Sequence, residues 1–148
     1  MRKSKKTGQD DESRINVLKR MSNKLQQRSL VQKVFASVSA NANDALLKRD
    51  LVKNDILEKL EIDGDMQDTL TYISCTKNVV LVTLDYAALT TDPNDLLLFL
   101  QNNLSISTVI VDNFPHTNDI NNYSAKDPIN NPNRRKLFDC RKGTYQLL

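Results

Sequence analysis

A chain of 148 residues has the length of one ordinary domain, and its 39% hydrophobic content with a mean hydropathy of −0.49 allows only a modest core. Three glycines and four prolines exclude Gly-rich and collagen-like architectures, while two cysteines and one histidine exclude a disulfide framework or a tetrahedral zinc site. The net charge of +3 hides a segregation: residues 1–59 hold 14 Lys/Arg against 7 Asp/Glu, residues 60–133 hold 2 against 10, and residues 134–148 hold 5 against 1. Basic ends of this kind either fold onto the chain's own acidic middle or meet an acidic partner such as nucleic acid.

Residues 1–13 are polar and without periodicity, and read as a disordered basic arm. Arg2, Lys3, Lys5 and Lys6 in it suit a nuclear localisation patch or a phosphate-contacting tail, against the plainer alternative of a solvated terminus. No apolar stretch follows that start, and no run approaches the roughly 20 apolar residues of a membrane span. The expected location is nuclear or cytoplasmic, with the basic patch favouring the nucleus.

From Ser13 onward, Leu18, Met21 and Leu25 recur at helical spacing. Leu30, Val31, Val34, Phe35 and Val38 repeat at i, i+1, i+4, i+5 and i+8 and predict a second helix. A third helical stretch is expected from Asn43 or Asp44 to Leu60, either sandwiched between layers or broken near Asn54-Asp55, where a side chain caps a second piece. Asp63-Gly64-Asp65 reads as a turn, with Asp65 capping a helix that turns Met66, Leu70 and Ile73 inward.

The strongest pattern is a β-α-β unit. Residues 78–84 form a continuous β-branched apolar run, the signature of a strand covered on both faces. Asp92 then caps a helix with Pro93 at its first position and Asp95 in its first turn. Leu96 to Leu100 and Leu104 make that helix apolar on nearly every side, which marks Leu97, Leu98 and Phe99 as a candidate partner-binding face. Residues 105–111 are the second strand, and the helical spacer between the strands favours a parallel pair. Residues 113–135, rich in Asn, Pro and Asp, read as one long loop, and 136–148 as a C-terminal hairpin. The expected fold class is therefore α/β: a single domain over 14–148, with N-terminal helices and a small, mostly parallel sheet.

Catalytic equipment is scarce. Val109-Ile110-Val111-Asp112 has the form of a Walker B strand, but no phosphate loop accompanies it, so Asp112 and Asp85 are expected to act in turns or helix caps. His116 lacks a second catalytic group beside it in sequence, Asp63, Asp65 and Asp68 lack EF-hand spacing, and Cys75 and Cys140 read as small buried residues. Arg134, Arg135, Lys136, Arg141 and Lys142, with Phe138 and Tyr145 among them, form a candidate nucleic-acid cluster: guanidinium forks hold phosphates and aromatic rings stack on bases.

Two family patterns overlap this core. The turn-helix-strand-Asp-helix-strand order from Gly64 to Asp85 and on to 107–111 resembles the core of a family of RNA-binding proteins that clamp kinked RNA. That family's RNA-contacting Asn-Glu pair falls near Met66-Gln67, which departs from it, so no binding residue carries over. Residues 78–114 also resemble the strand-helix-Walker B part of RecA-like ATPases and their inactive paralogues, which implies scaffolding in a chain without a phosphate loop. The resulting expectation is a non-enzymatic subunit, without cofactor or metal, of a nuclear assembly that handles RNA or DNA. The alternatives are a pure protein–protein adaptor and a degenerate ATPase paralogue.

Overall fold

The computed structural model describes residues 11–38, 44–112 and 120–139. Helix α1 (Asp11–Gln27) starts two residues before Ser13, within the stretch expected as a disordered arm, with Asp11 and Glu12 in its first turn, where carboxylates complement the helix dipole. Ile15, Leu18 and Leu25 are buried. Arg14 is buried beside them, donating to the Val38 carbonyl and pairing with Asp11 at 3.5 Å.

The helix expected from Leu30 to Val38 is not formed. Leu30 has φ 51°, Val31 bonds back to the Leu25 carbonyl, and the following residues run out as a strap. Phe35 bridges Gly64 in parallel fashion, with Ala36 N donating to Gly64 O at 2.9 Å and Asp63 N to Val34 O at 2.8 Å. Three valines and a phenylalanine in this stretch lose side-chain freedom in a helix and suit extended backbone. Their i, i+4 spacing fits either state.

The third helical stretch breaks, the second of the two outcomes its scattered apolar positions allow. It leaves two short 3-10 turns, Leu46–Lys48 and Asp55–Lys59, separated by Asp50 at φ 57°. Asn54 caps the second, accepting from Ile56 N at 2.9 Å. Helix α2 (Met66–Cys75) opens on a capping box in which Asp65 accepts from Asp68 N and Asp68 accepts from Asp65 N. Gly64 precedes it at φ 156°, and a Cβ there would lie 2.4 Å from Asp68 Oδ2. Gly64→Ala is therefore expected to break the capping box and cost about 1–2 kcal/mol in a urea melt. Unchanged stability would show that Asp68 has room to swing aside.

The β-α-β unit is present. Strand β1 (Val79–Thr83) pairs in parallel with β2 (Ile106–Asp112), and α3 (Tyr86–Leu89) and α4 (Pro93–Asn102) lie between them in sequence. Asp92 and Pro93 start α4 as the sequence dictates, with Asp92 accepting from Asn94 N. Asp85 caps α3 through Ala88 N, which confirms its reading as a helix cap. The register skips Ser107, so Ile106 joins Val109 and Val111 on the buried face.

The stretch expected as a long loop holds a third strand, β3 (Ile120–Ser124), antiparallel to β2, followed by α5 (Lys126–Asn130) and α6 (Pro132–Arg135). The sheet is thus mixed, in the order β1-β2-β3, and not mostly parallel. Residues 136–138 form a 3-10 turn that buries Phe138, which removes the first arm of the expected hairpin. The rest of that hairpin lies outside the described residues, as do residues 1–10 of the basic arm and His116.

Two apolar clusters result. One packs α2, α4, the sheet and Phe138 around Phe99, Leu96 and Val109. The other joins α1 to the end of the strap and the second 3-10 turn through Leu18, Val38 and Ile56.

Candidate binding cleft

The strap lies over the face of the sheet that the large core leaves uncovered. Alternation turns Leu81 and Thr83 toward one face and Val80 and Val82 toward the other. Thr83 is 3% exposed but Val80 is 51% exposed, so β1 is not covered on both faces as its apolar run suggests. At one end of the strap, Arg28 Nε and Ser29 Oγ donate to Asp112 Oδ2 at 3.0 and 3.1 Å. At the other, Phe35 bridges Gly64 and its ring meets Tyr72 at 5.8 Å between centroids. Between these anchors is a cleft of about 450 Å³, bounded by the strap, α2 and the run Thr76–Val82, with Leu46 and Phe99 at its floor. That volume lies in the range of ligand-binding pockets, which run from about 300 to 1,000 Å³.

The ionised side chains in the described lining are Lys33, Arg49 and Lys77. Arg49 is buried and donates to the Asp44 and Leu89 carbonyls at 2.9 and 2.7 Å. Lys33 pairs with Asp63 at 3.1 Å, and Lys77 is exposed. Ser37, 4% exposed, contributes a hydroxyl that has no partner among the described residues.

Asp112 is neither a turn nor a capping residue. It is the buried anchor of the strap, and its side chain is committed to Arg28 and Ser29. The pairs Arg28–Asp112, Lys33–Asp63, Lys53–Asp65 and Lys53–Asp68 all join the basic first segment to the acidic middle. At these positions the charge segregation is answered within the chain. Among the described residues no cluster of His, Cys, Asp or Glu is arranged to hold a metal, and Asp63, Asp65 and Asp68 form the turn and cap read from the sequence.

The acidic turn makes stability pH-dependent. For Asp63, burial pushes the carboxyl up, but the Val34 amide and the Lys33 ammonium outweigh it and hold the group below its ordinary value. For Asp68, the Asp65 amide is the largest influence and Lys53 adds to it, again lowering the group. Carboxylates held low in the fold contribute stability in full above the unfolded value near pH 4, and lose it as pH falls through the folded values. The melting temperature is expected to hold from about pH 7 to 5 and to fall below about pH 4, less steeply in Asp68→Asn. An identical acid limb in that variant would remove Asp68 from the account. The Asp65 carboxylate raises Lys53, whose contribution is present below about pH 10 and lost above its raised value.

The candidate site residues scatter. Phe99 is 0% exposed and sits in the core, so it cannot belong to a partner-binding face. Leu97 is half-buried and Leu98 is 54% exposed. Arg135 is tied to the Pro128 and Ile129 carbonyls at 2.8 Å, and Arg134 lies 5.8 Å over the Tyr123 ring. Lys136 is exposed, while Phe138 is buried edge-on against Tyr86 and offers no base a stacking surface. Arg2, Lys3, Lys5, Lys6, Arg141, Lys142, Tyr145 and Cys140 lie outside the described residues. Cys75 is exposed, contrary to its expected burial, because it ends α2 on the solvent side. Sequence reasoning missed the cleft itself, whose walls come from the strap and from the distant stretch 66–82, and whose one local signal is the β-branched character of 31–38.

No helix among the described residues is long and apolar enough to cross a membrane. In comparisons with known proteins, no family model, curated protein or solved structure matches the chain.

Proposed function

We propose that the chain is a non-enzymatic binding subunit of a larger assembly, and that it holds a segment of a partner protein in the cleft beneath the 28–36 strap. The observation that carries this reading is the cleft: an apolar hollow of about 450 Å³ beside a half-exposed valine, braced at both ends by Asp112 and Gly64. Its lining is mainly aliphatic, aromatic and hydroxyl-bearing, with Lys33, Arg49 and Lys77 as its charged members, which suits holding a ligand by shape and burial. A photo-crosslinking residue at Val80 is expected to trap a discrete protein partner in extract of the source cell, while the same residue at Ile120, exposed on β3, traps none. Equal trapping at both positions, or none at either, overturns the reading.

Contact with RNA or DNA in a nuclear assembly is a second role, favoured by exposed cations on two elements. Lys19, Arg20 and Lys24 are exposed on α1, and Arg134 and Lys136 are exposed near the end of the described chain. Phosphate contacts release counterions, so affinity for generic nucleic acid falls steeply with salt. With three or four such contacts, the loss between about 50 and 200 mM salt is on the order of a hundredfold. Substituting Gln for Lys19, Arg20 and Lys24 together is expected to flatten that dependence. No binding even at low salt removes nucleic acid from the function and leaves a pure protein adaptor.

A further inference from the structure

The edge of β1 that borders the cleft narrows what the cleft takes. Among the described residues β1 has one neighbour, β2, so the backbone groups on its other edge meet no described strand. The strap does not pair with them: its backbone bonds run to Leu25, Asp63 and Gly64. The cleft follows this edge continuously from Thr76 to Val82. An open strand edge beside apolar pockets is the arrangement that captures an extended peptide, with main-chain bonds giving affinity and alternate side chains giving specificity.

Charge narrows it further. The described lining holds three cations and no carboxylate. Arg49 and Lys33 have intramolecular partners, while Lys77 is exposed at the start of β1, one residue before Asn78 turns the chain at φ 55°. We infer that the occupant is an extended segment of a partner protein, added as a strand along β1, with alternate apolar side chains over Val80 and Val82 and an Asp or Glu facing Lys77. This inference rests on the cleft being the docking site. A basic or uniformly polar segment fits neither the lining nor its charge.

The test is selection of a random octapeptide library, displayed on phage, against the full chain, with Val80→Asp as the counter-target. Val80 is half exposed, so the variant is expected to keep the parent's melting temperature, which is checked first. The expected winners alternate apolar residues, carry an acidic residue at one end, and fail to bind Val80→Asp. Replacing the acidic residue with Lys should weaken binding by up to about fivefold, the range of an exposed ion pair, and Lys77→Glu should reverse that preference. Binding should protect from exchange those amide hydrogens of residues 79–83 that face away from β2.

Winners without acidic enrichment, or a preference that Lys77→Glu leaves unchanged, overturn the charge inference. Winners that leave the β1 amides unprotected overturn strand addition. No winners, although the crosslinker at Val80 traps a protein, overturn the extended segment while sparing the docking reading. No winners and no crosslink end both. If Val80→Asp fails to fold, Lys77→Glu and the exchange pattern still decide.

Discussion

Replacing Phe99 with alanine is expected to cost about 3–5 kcal/mol of folding stability, while Leu98→Ala, one residue earlier on α4, costs under about 0.5 kcal/mol. The difference is position on the helix. Phe99 is 0% exposed, at the centre of the cluster that joins α2, α4, the sheet and Phe138. Truncation there loses the ring's transfer free energy and opens a cavity that a close-packed interior closes only in part. Leu98 is 54% exposed and faces water. A urea titration of the two variants against the parent reads both values, with a shifted midpoint and an unchanged slope as the expected form for Phe99→Ala. Equal costs would mean that α4 is packed within the chain on the Leu98 side as well. Leu98 lies outside the cleft lining, so Leu98→Ala should leave peptide capture intact.

The β-α-β unit was legible because each of its signals is local. A β-branched run makes β1, Asp92-Pro93-Asn94-Asp95 opens α4, and the spacing between the strands implies a parallel pair. Asp65 and Asn54 were legible as caps for the same reason. β3 was not. Ile120-Asn121-Asn122-Tyr123-Ser124 has weak strand propensity, and it is a strand because β2 offers an edge and the core offers Tyr123 a place, with its hydroxyl 2.6 Å from that of Tyr86. The strap was misread because apolar residues at i, i+1, i+4 and i+5 fit a helix as well as a chain pinned between α1 and Gly64. The cleft needed the fold itself, since the strap that closes it lies about thirty residues before the stretch 66–82 that forms its other walls. The charge segregation carried real information, but about intramolecular pairing as much as about partners: Arg28, Lys33 and Lys53 each find an acid in the middle segment.

Arg28→Ala is expected to cost about 2–3 kcal/mol and to loosen the strap more than the rest of the molecule. The Asp112 side chain is 4% exposed, so losing the guanidinium 3.0 Å away leaves a buried carboxylate with a weaker set of donors, among them Ser29 Oγ at 3.1 Å. Breaking a fully buried pair in this way costs about 3–5 kcal/mol; the Arg28 side chain is 31% exposed, and that solvent contact lowers the figure. Removing the acid as well should recover part of the loss, so Arg28→Ala combined with Asp112→Asn is expected to be more stable than the two single costs added together. Global stability is read by denaturant, and the strap by amide exchange across residues 30–36, where opening should become easier than global unfolding. A uniform rise in exchange across the whole chain would mean that Arg28 supports the fold at large and not the strap in particular. If the strap is the roof of the cleft, its loosening also changes capture: the selected peptides should dissociate faster from Arg28→Ala, with their association rate little altered. A variant with a loosened strap and unchanged dissociation would place the peptide on β1 without the strap over it, and the edge strand alone would then account for the binding.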